Sequence, residues 1–359
     1  MDALQQPSRD VRGRRWRLSP INRARWMRFK GNRLACISLW VFLALFGISL
    51  FAEFIANDKP LVFEHNGSLH FPILFTYTEA DLGGVFETEA VYGDPYVQAL
   101  IEDAGGWMVW PLIPFSYDTL DILIDEAAPA PPSERHWLGT DSASRDTLAR
   151  IIYGFRLSVI FGLLLTIFNA TLGILIGAVQ GYFGGLTDLL GQRVVEIWQN
   201  LPVLFLLIIL ASIVEPNFFW LLGLLVLINW TALVGVTRAE FLKTRNLEYV
   251  TGARAMGVKN FTIMRRHVLP NAMVAAVTFT PFLLNGSITT LTALDFLGFG
   301  LPPGSPSLGE LLAQAKSNIQ APWLGLSGFA TLALMLTLLI FVGEGVRDAF
   351  DPRRVRVAA

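Results

Sequence analysis

The chain has 359 residues, of which 53% are hydrophobic and 16% charged, with a formal net charge of −1. So apolar a composition excludes an ordinary soluble enzyme, and the near-neutral balance excludes a basic nucleic-acid binder; a polytopic membrane protein remains. Cys36 is the only cysteine, so neither an internal disulfide nor a cysteine metal cluster can form.

Residues 1–33 make a basic segment with ten Lys or Arg, among them Arg12, Arg14, Arg15, Arg17, Arg23, Arg25, Arg28, Lys30 and Arg33. An apolar run of about 22 residues from Leu34 to Ile55 follows, long enough for a first transmembrane helix over 34–56 and too long for a cleavable signal core. Its basic flank predicts a cytoplasmic N-terminus. Residues 57–145 reverse the charge, with fifteen Asp or Glu against Lys59, Arg135 and Arg145. Phe71, Tyr77, Phe86, Tyr92, Trp107 and Trp110 punctuate this segment, which is expected to form an irregular or strand-containing extracytoplasmic cap. Exposed aromatics among acids suit contact with a partner.

Residues 146–348 hold five further apolar segments, read as Leu157–Val179, Val194–Val214, Phe218–Val236, Ala272–Leu294 and Leu326–Val342. Six transmembrane helices return the tail, 349–359, to the cytoplasm, and Arg347, Arg353, Arg354 and Arg356 agree with that side. The same count places the loop 240–271 in the cytoplasm, in keeping with its Lys259, Arg265 and Arg266. Within this loop, Glu248 to Met256 reads as a short helix whose small residues Gly252, Ala253 and Ala255, with Gly257 after them, leave a face another protein can approach closely. Gly257 suits the left-handed turn that ends a helix, and Pro270 marks the start of the next. A plain connecting helix is the alternative.

Asp295, near the outer end of the fifth span, either faces a translocation path or hydrogen-bonds between helices. Glu196 reads as a local ion pair with Arg193, and Asn169, Asn229 and Asn285 as interhelical hydrogen-bonding groups. No catalytic constellation stands out. None of the lysines follows a glycine, which excludes a Walker A phosphate loop, and His65, His70, His136 and His267 lack zinc spacing, so no metal site is expected.

Gly257, His267, Leu269 and Pro270 stand in the register of the coupling loop of bacterial ABC-transporter permeases, which this stretch resembles, although Thr251 and Gly252 replace the Glu and Ala that name the motif. Further stretches resemble the dipeptide, oligopeptide and nickel branch of that family. They are His136-Trp-Leu-Gly-Thr-Asp141 with Arg145-Asp146, Tyr153-Gly-Phe-Arg156, Phe296-Leu-Gly-Phe-Gly300, Ser305-Pro-Ser-Leu-Gly309 and Gly345-Val-Arg347-Asp348. Ser144 and Leu308 depart from the usual Gly and Trp. The run from Leu18 to Trp26 and the long acidic segment after Ile55 are most similar to branch members that import oligopeptides and microcin C.

The resemblance implies an all-α polytopic membrane protein with the six transmembrane helices of the type I ABC importer permease fold and a large extracytoplasmic loop after the first helix. It implies that Tyr249, Thr251, Gly252, Ala253, Ala255, Gly257, His267, Leu269 and Pro270 form the contact with an ATP-binding subunit. This chain would then bind no cofactor, ATP and Mg being used by the partner ATPase. The implied partners are a second permease subunit, ATP-binding subunits, a periplasmic solute-binding protein and the lipid bilayer of the bacterial inner membrane. A stand-alone secondary transporter or channel is the competing reading, against which a docking loop without a charge relay weighs.

Overall fold

The computed structural model describes residues 20–124, 126–214 and 217–351. The basic residues Arg12, Arg14, Arg15, Arg17, Arg353, Arg354 and Arg356 lie outside the described residues. Helix α1 (Pro20–Gly31) precedes α2 (Arg33–Leu50), and Asn32 separates them by accepting the Ala35 N–H with its side chain. A single turn, α3 (Ala52–Ile55), leads into the cap.

The cap has a core of its own. Strands β1 (Val62–His65) and β2 (Ser68–His70) form a hairpin whose two-residue turn, Asn66-Gly67, takes positive φ of 52° and 75°. Helix α4 (Pro95–Asp103) starts at the Asp94 cap, and β3 (Met108–Val109) pairs antiparallel to β1, giving the order β2-β1-β3. Phe63, Leu82, Tyr92, Val97 and Ile101 are buried together between sheet and helix. The two ends of this unit meet, because Asn57 donates its N–H to the Ile113 carbonyl at 3.0 Å and Ile113 donates to Ile55 at 2.9 Å.

The bundle is built around α5 (Thr147–Phe183), whose 37 residues exceed what a bilayer core of roughly 30 Å requires. After it come α6 (Gly185–Gln199), α7 (Val203–Ile213), α8 (Phe218–Asn229), a 3-10 turn at Trp230–Leu233 and α9 (Val234–Thr244). The chain continues through α10 (Glu248–Ala255), α11 (Asn260–Ile263), a π-helical turn at Met264–Val268, α12 (Leu269–Phe296), α13 (Leu308–Ser317) and α14 (Pro322–Phe350). Five units among the described residues are long and apolar enough to cross a membrane: Arg33–Leu50, Thr147–Phe183, Phe218–Thr244, Asn260–Phe296 and Pro322–Phe350.

The expected continuous span over Val194–Val214 is corrected by the structure, which breaks it between α6 and α7. Pro202 lacks an amide hydrogen and stands in extended conformation, at φ −75° and ψ 90°, so the helix stops and restarts there. The pair still carries the chain across. α5 lies parallel to the α8–α9 unit, since Phe161 meets Phe218, Gly173 meets Trp230 and Leu233, and Gly181 meets Arg238 and Phe241. Two parallel neighbours need a return path. α6 begins beside the end of α5, with Gln192 bonded to Gln180, and α7 ends the return with Leu207 packed among Phe161, Leu221 and Leu225.

A close seam lies between these parallel helices. A Cβ on Gly173, Gly177 or Gly181 would stand 3.1, 2.6 or 2.5 Å from the carbonyl oxygens of Trp230, Val234 and Arg238. Glycines spaced by four fall on one helix face and let two backbones meet without a hydrophobic drive. On other sides of α5 and beyond it the pairings are antiparallel. Thr166 meets Ser287 of α12, Asn285 donates to the Leu336 carbonyl of α14 at 3.0 Å, and Phe42 of α2 packs with Leu338.

Candidate functional site

At one end of the bundle, α10 folds back onto the helices that flank it. Val250 and Ala253 lie one turn apart and are buried with Ala178 and Tyr182 of α5, Phe241 of α9 and Ala272 of α12. Ala253 therefore does not belong to the approachable face expected of it: a helix of 8 residues has one inward side, and Val250 fixes which. Thr251, Gly252, Ala255 and Gly257 are on the exposed side, where Met256 and Phe261 are 78% and 72% exposed. Large apolar side chains exposed in this way mark a contact surface when they cluster.

The helix end is fixed by its backbone. Gly257 takes φ 77° and donates its N–H to the Arg254 carbonyl at 3.0 Å, while Val258 donates to Ala253 at 3.1 Å, the paired bonds of a Schellman turn. Val258 then packs against the same cluster as Ala253. Tyr249 ties α10 to the start of α12, accepting from the Asn271 amide at 2.7 Å and donating to the His267 carbonyl at 3.4 Å. Leu269 packs against the cluster, and Pro270 stands in the first turn of α12, directly after the π-helical turn. Arg245 donates to the carbonyls of Gly181 and Tyr182, closing the end of α5. Arg254, Lys259, Arg265 and Arg266 are exposed around this platform, against one acid, Glu248. The site is a stiff, basic, partly apolar platform joined to three long helices.

At the opposite end, beneath the cap, a buried charge network joins segments that are far apart in sequence. Asp146 caps α5 by accepting the Ala149 N–H at 2.7 Å, and its other oxygen lies 2.8 Å from His136 Nδ1. His136 Nε2 lies 3.1 Å from Asp121, which also pairs with Arg135 at 2.8 Å. Burial opposes a charge on His136, but hydrogen bonds to Asp146 and Asp121 outweigh it and hold its pKa above the ordinary value. Beside this triad, the fully buried Arg150 donates to the Ser305 carbonyl at 2.9 Å and to Glu310 at 3.0 Å. Arg145 bridges Asp141 and Glu310 at 2.7 and 3.3 Å, tying the start of α5 to α13.

Asp295 belongs to the same end. Its carboxylate accepts the Leu301 N–H at 2.8 Å and the hydroxyl of Ser307, which in turn caps α13. Both oxygens are thus committed to the turn between α12 and α13, and the geometry favours the hydrogen-bonding reading over a place on the path. Glu196 pairs with Arg193 at 2.6 Å, as expected of neighbours one turn apart.

Residues 171–356 match the family described as the binding-protein-dependent transport system inner membrane component, and residues 19–68 match the N-terminal transmembrane domain of oligopeptide transport permease C. The chain belongs to the binding-protein-dependent permease family. It is 56% identical over 338 residues to the inner membrane ABC transporter permease protein YejE of Escherichia coli, covering 94% of this chain and 99% of that protein. It is 54% identical to the peptidoglycan transport system permease protein YejE of Agrobacterium fabrum, over 96% of each chain. Oligopeptide transport system permease protein OppC of Haemophilus influenzae is 33% identical over 67% of this chain and 77% of its own length. The chain is accordingly an all-α, multi-pass membrane permease subunit of an ABC importer for peptides.

Proposed function

We propose that α10, with Met256 and Phe261, seats in a groove of a separate ATP-binding subunit that hydrolyses ATP with Mg, while this chain carries out no chemistry itself. The observation that carries this reading is the two-sidedness of α10. One side is packed on α5, α9 and α12, and the other is open and partly apolar. A groove that closes on the open side displaces three long helices together, which is the rigid-body motion that opens one end of a bundle while closing the other. Tyr249, Thr251, Gly252, Ala255, Gly257, His267, Leu269 and Pro270 serve this contact by shaping and anchoring it, and Ala253 by holding it to the bundle.

The basic loop and α1 support a cytoplasmic position for both, and the acidic cap supports the extracytoplasmic face. A second permease subunit completes the pathway, and a periplasmic solute-binding protein delivers the solute to the cap side. The names of two relatives, an oligopeptide and a peptidoglycan transport permease, support peptides and peptide-like solutes as cargo, and solutes of the microcin C kind rest on the sequence resemblance alone. Replacing Phe261 with Asp tests the coupling contact, because the side chain is exposed and its loss leaves the fold intact. The variant should insert normally while recovery of the ATP-binding subunit with it falls about tenfold, as for a lost interface anchor. Undiminished recovery together with undiminished peptide uptake overturns the proposal.

A further inference from the structure

The cap contains a cleft of about 880 Å³ between the start of α4 and the strap 110–123 that returns to the bundle. That volume lies within the roughly 300–1,000 Å³ that small-ligand pockets occupy. Its walls are apolar and stiff, contributed by Tyr92, Trp110 and Phe115 with Pro95 and Pro114. At its mouth Leu120, Ile122 and Leu123 are 57%, 88% and 60% exposed, an apolar edge with nothing over it in the single chain.

The charges of the cleft say what it takes. Lys59 is paired with Glu89, and Arg135 with Asp121, so both cations are spent. Asp58 and Asp94 also line the cleft, and neither has a basic partner among the described residues. Asp58 accepts the Thr119 hydroxyl at 2.9 Å, and Asp94 accepts the Tyr96 N–H at 2.8 Å as the α4 cap. Two carboxylates without cations beside an aromatic wall favour a ligand that combines one positive group with an apolar side chain.

We propose that this cleft binds an extended peptide through its free α-ammonium group, held by Asp58 and Asp94, and an apolar side chain, held against Tyr92 and Trp110. An α-amino group has a pKa of about 7.7–8.0 and is largely protonated at neutral pH, so an ordinary unblocked peptide carries the required charge. The inference rests on the reading of the chain as a peptide-importer subunit, and it adds a first peptide contact outside the transmembrane bundle.

The test uses the purified full-length chain, its intrinsic tryptophan fluorescence, and two probes, trileucine and N-acetyl-trileucine. Trileucine should bind saturably and the acetylated peptide about tenfold more weakly or worse, since only the charge differs. The double variant Asp58→Asn, Asp94→Asn keeps both hydrogen-bond acceptors and the helix cap, and should abolish that preference. Val91→Trp, at a cleft position that is 67% exposed, should block binding without touching the cap core. Equal binding of the two peptides, or unchanged binding to Val91→Trp, overturns the proposal. So does a cross-link from the cleft to the solute-binding protein that trileucine fails to compete, which assigns the cleft to protein docking. Peptide uptake by cells carrying the whole importer is measured alongside. Uptake without cleft binding defeats this site alone, whereas absence of uptake by the unaltered importer defeats the peptide reading beneath it.

Discussion

His136 joins the segment beneath the cap to the start of α5 through a charge that depends on its protonation state. Both of its ring nitrogens face carboxylate oxygens, at 2.8 and 3.1 Å, and only the imidazolium can donate to both. The ring is 4% exposed and the two aspartates 2% and 1%, so water does little to screen the charges. His136→Gln removes the cation while leaving one donor. Breaking a buried pair by removing one partner costs about 3–5 kcal/mol. Arg135 still serves Asp121, and the α5 N-terminus still favours a negative Asp146 by about 2 kcal/mol, which leaves a net loss of about 1–3 kcal/mol.

The pH dependence has a definite sign. Because the folded pKa of His136 is raised, the network contributes fully below the unfolded value of about 6.5 and is lost as pH rises through the folded value. Limited proteolysis of residues 57–145 in the purified protein, followed as pH rises from below the unfolded value, should show the cap loosening toward alkaline pH. The Gln variant should be loose throughout and flat across the same window. A wild-type cap that is equally protected at both ends of the range, or a variant as protected as wild type, refutes the imidazolium argument.

Three further outcomes follow from the geometry. Gly257→Trp places a large residue at φ 77°, so the chain should insert while peptide uptake falls about tenfold or more, read as uptake per inserted protein. Gly177→Val forces a side chain to within 2.6 Å of the Val234 carbonyl and should lower the yield of folded protein, at about 1–3 kcal/mol or more, as measured by thermal unfolding in detergent. Asp295→Asn leaves an amide that cannot accept from both Leu301 and Ser307, so folded yield and uptake should fall together; uptake lost at full yield would restore the translocation-path reading.

Much of this architecture is readable from residues, and the limits have physical causes. The end of α10 follows from Gly257, which punctuates the chain whatever surrounds it. The apolar run over Val194–Val214 hid its break at Pro202, because average hydrophobicity answers whether a segment belongs in lipid and not whether it is one helix. α5 begins at Thr147, well before the apolar run at Leu157, since helix ends outside the hydrocarbon carry no apolar signal. The sidedness of α10 has no sign in its sequence, small residues being at home on either face, and Ala253 turns inward because it shares a side with Val250. The spacing of Gly173, Gly177 and Gly181 by four is a local sign of the helix seam. The long-range part of the charge network beneath the cap has no local sign. Arg145 and Glu310 are 165 positions apart, and only the fold brings them together.

The reciprocal bonds between Ile55–Asn57 and Ile113 give the cap the form of a cassette with adjoining ends. Segments whose ends nearly touch are gained, lost or exchanged with little disturbance to the host, because the flanking backbone keeps its course with or without them. Residues 57–112 have a core of their own in Phe63, Tyr92, Val97 and Ile101. A lineage could therefore acquire, trade or prune the cap in one genetic event while the helices beneath it kept their packing, and an engineer could splice Ala56 to Ile113 on the same logic.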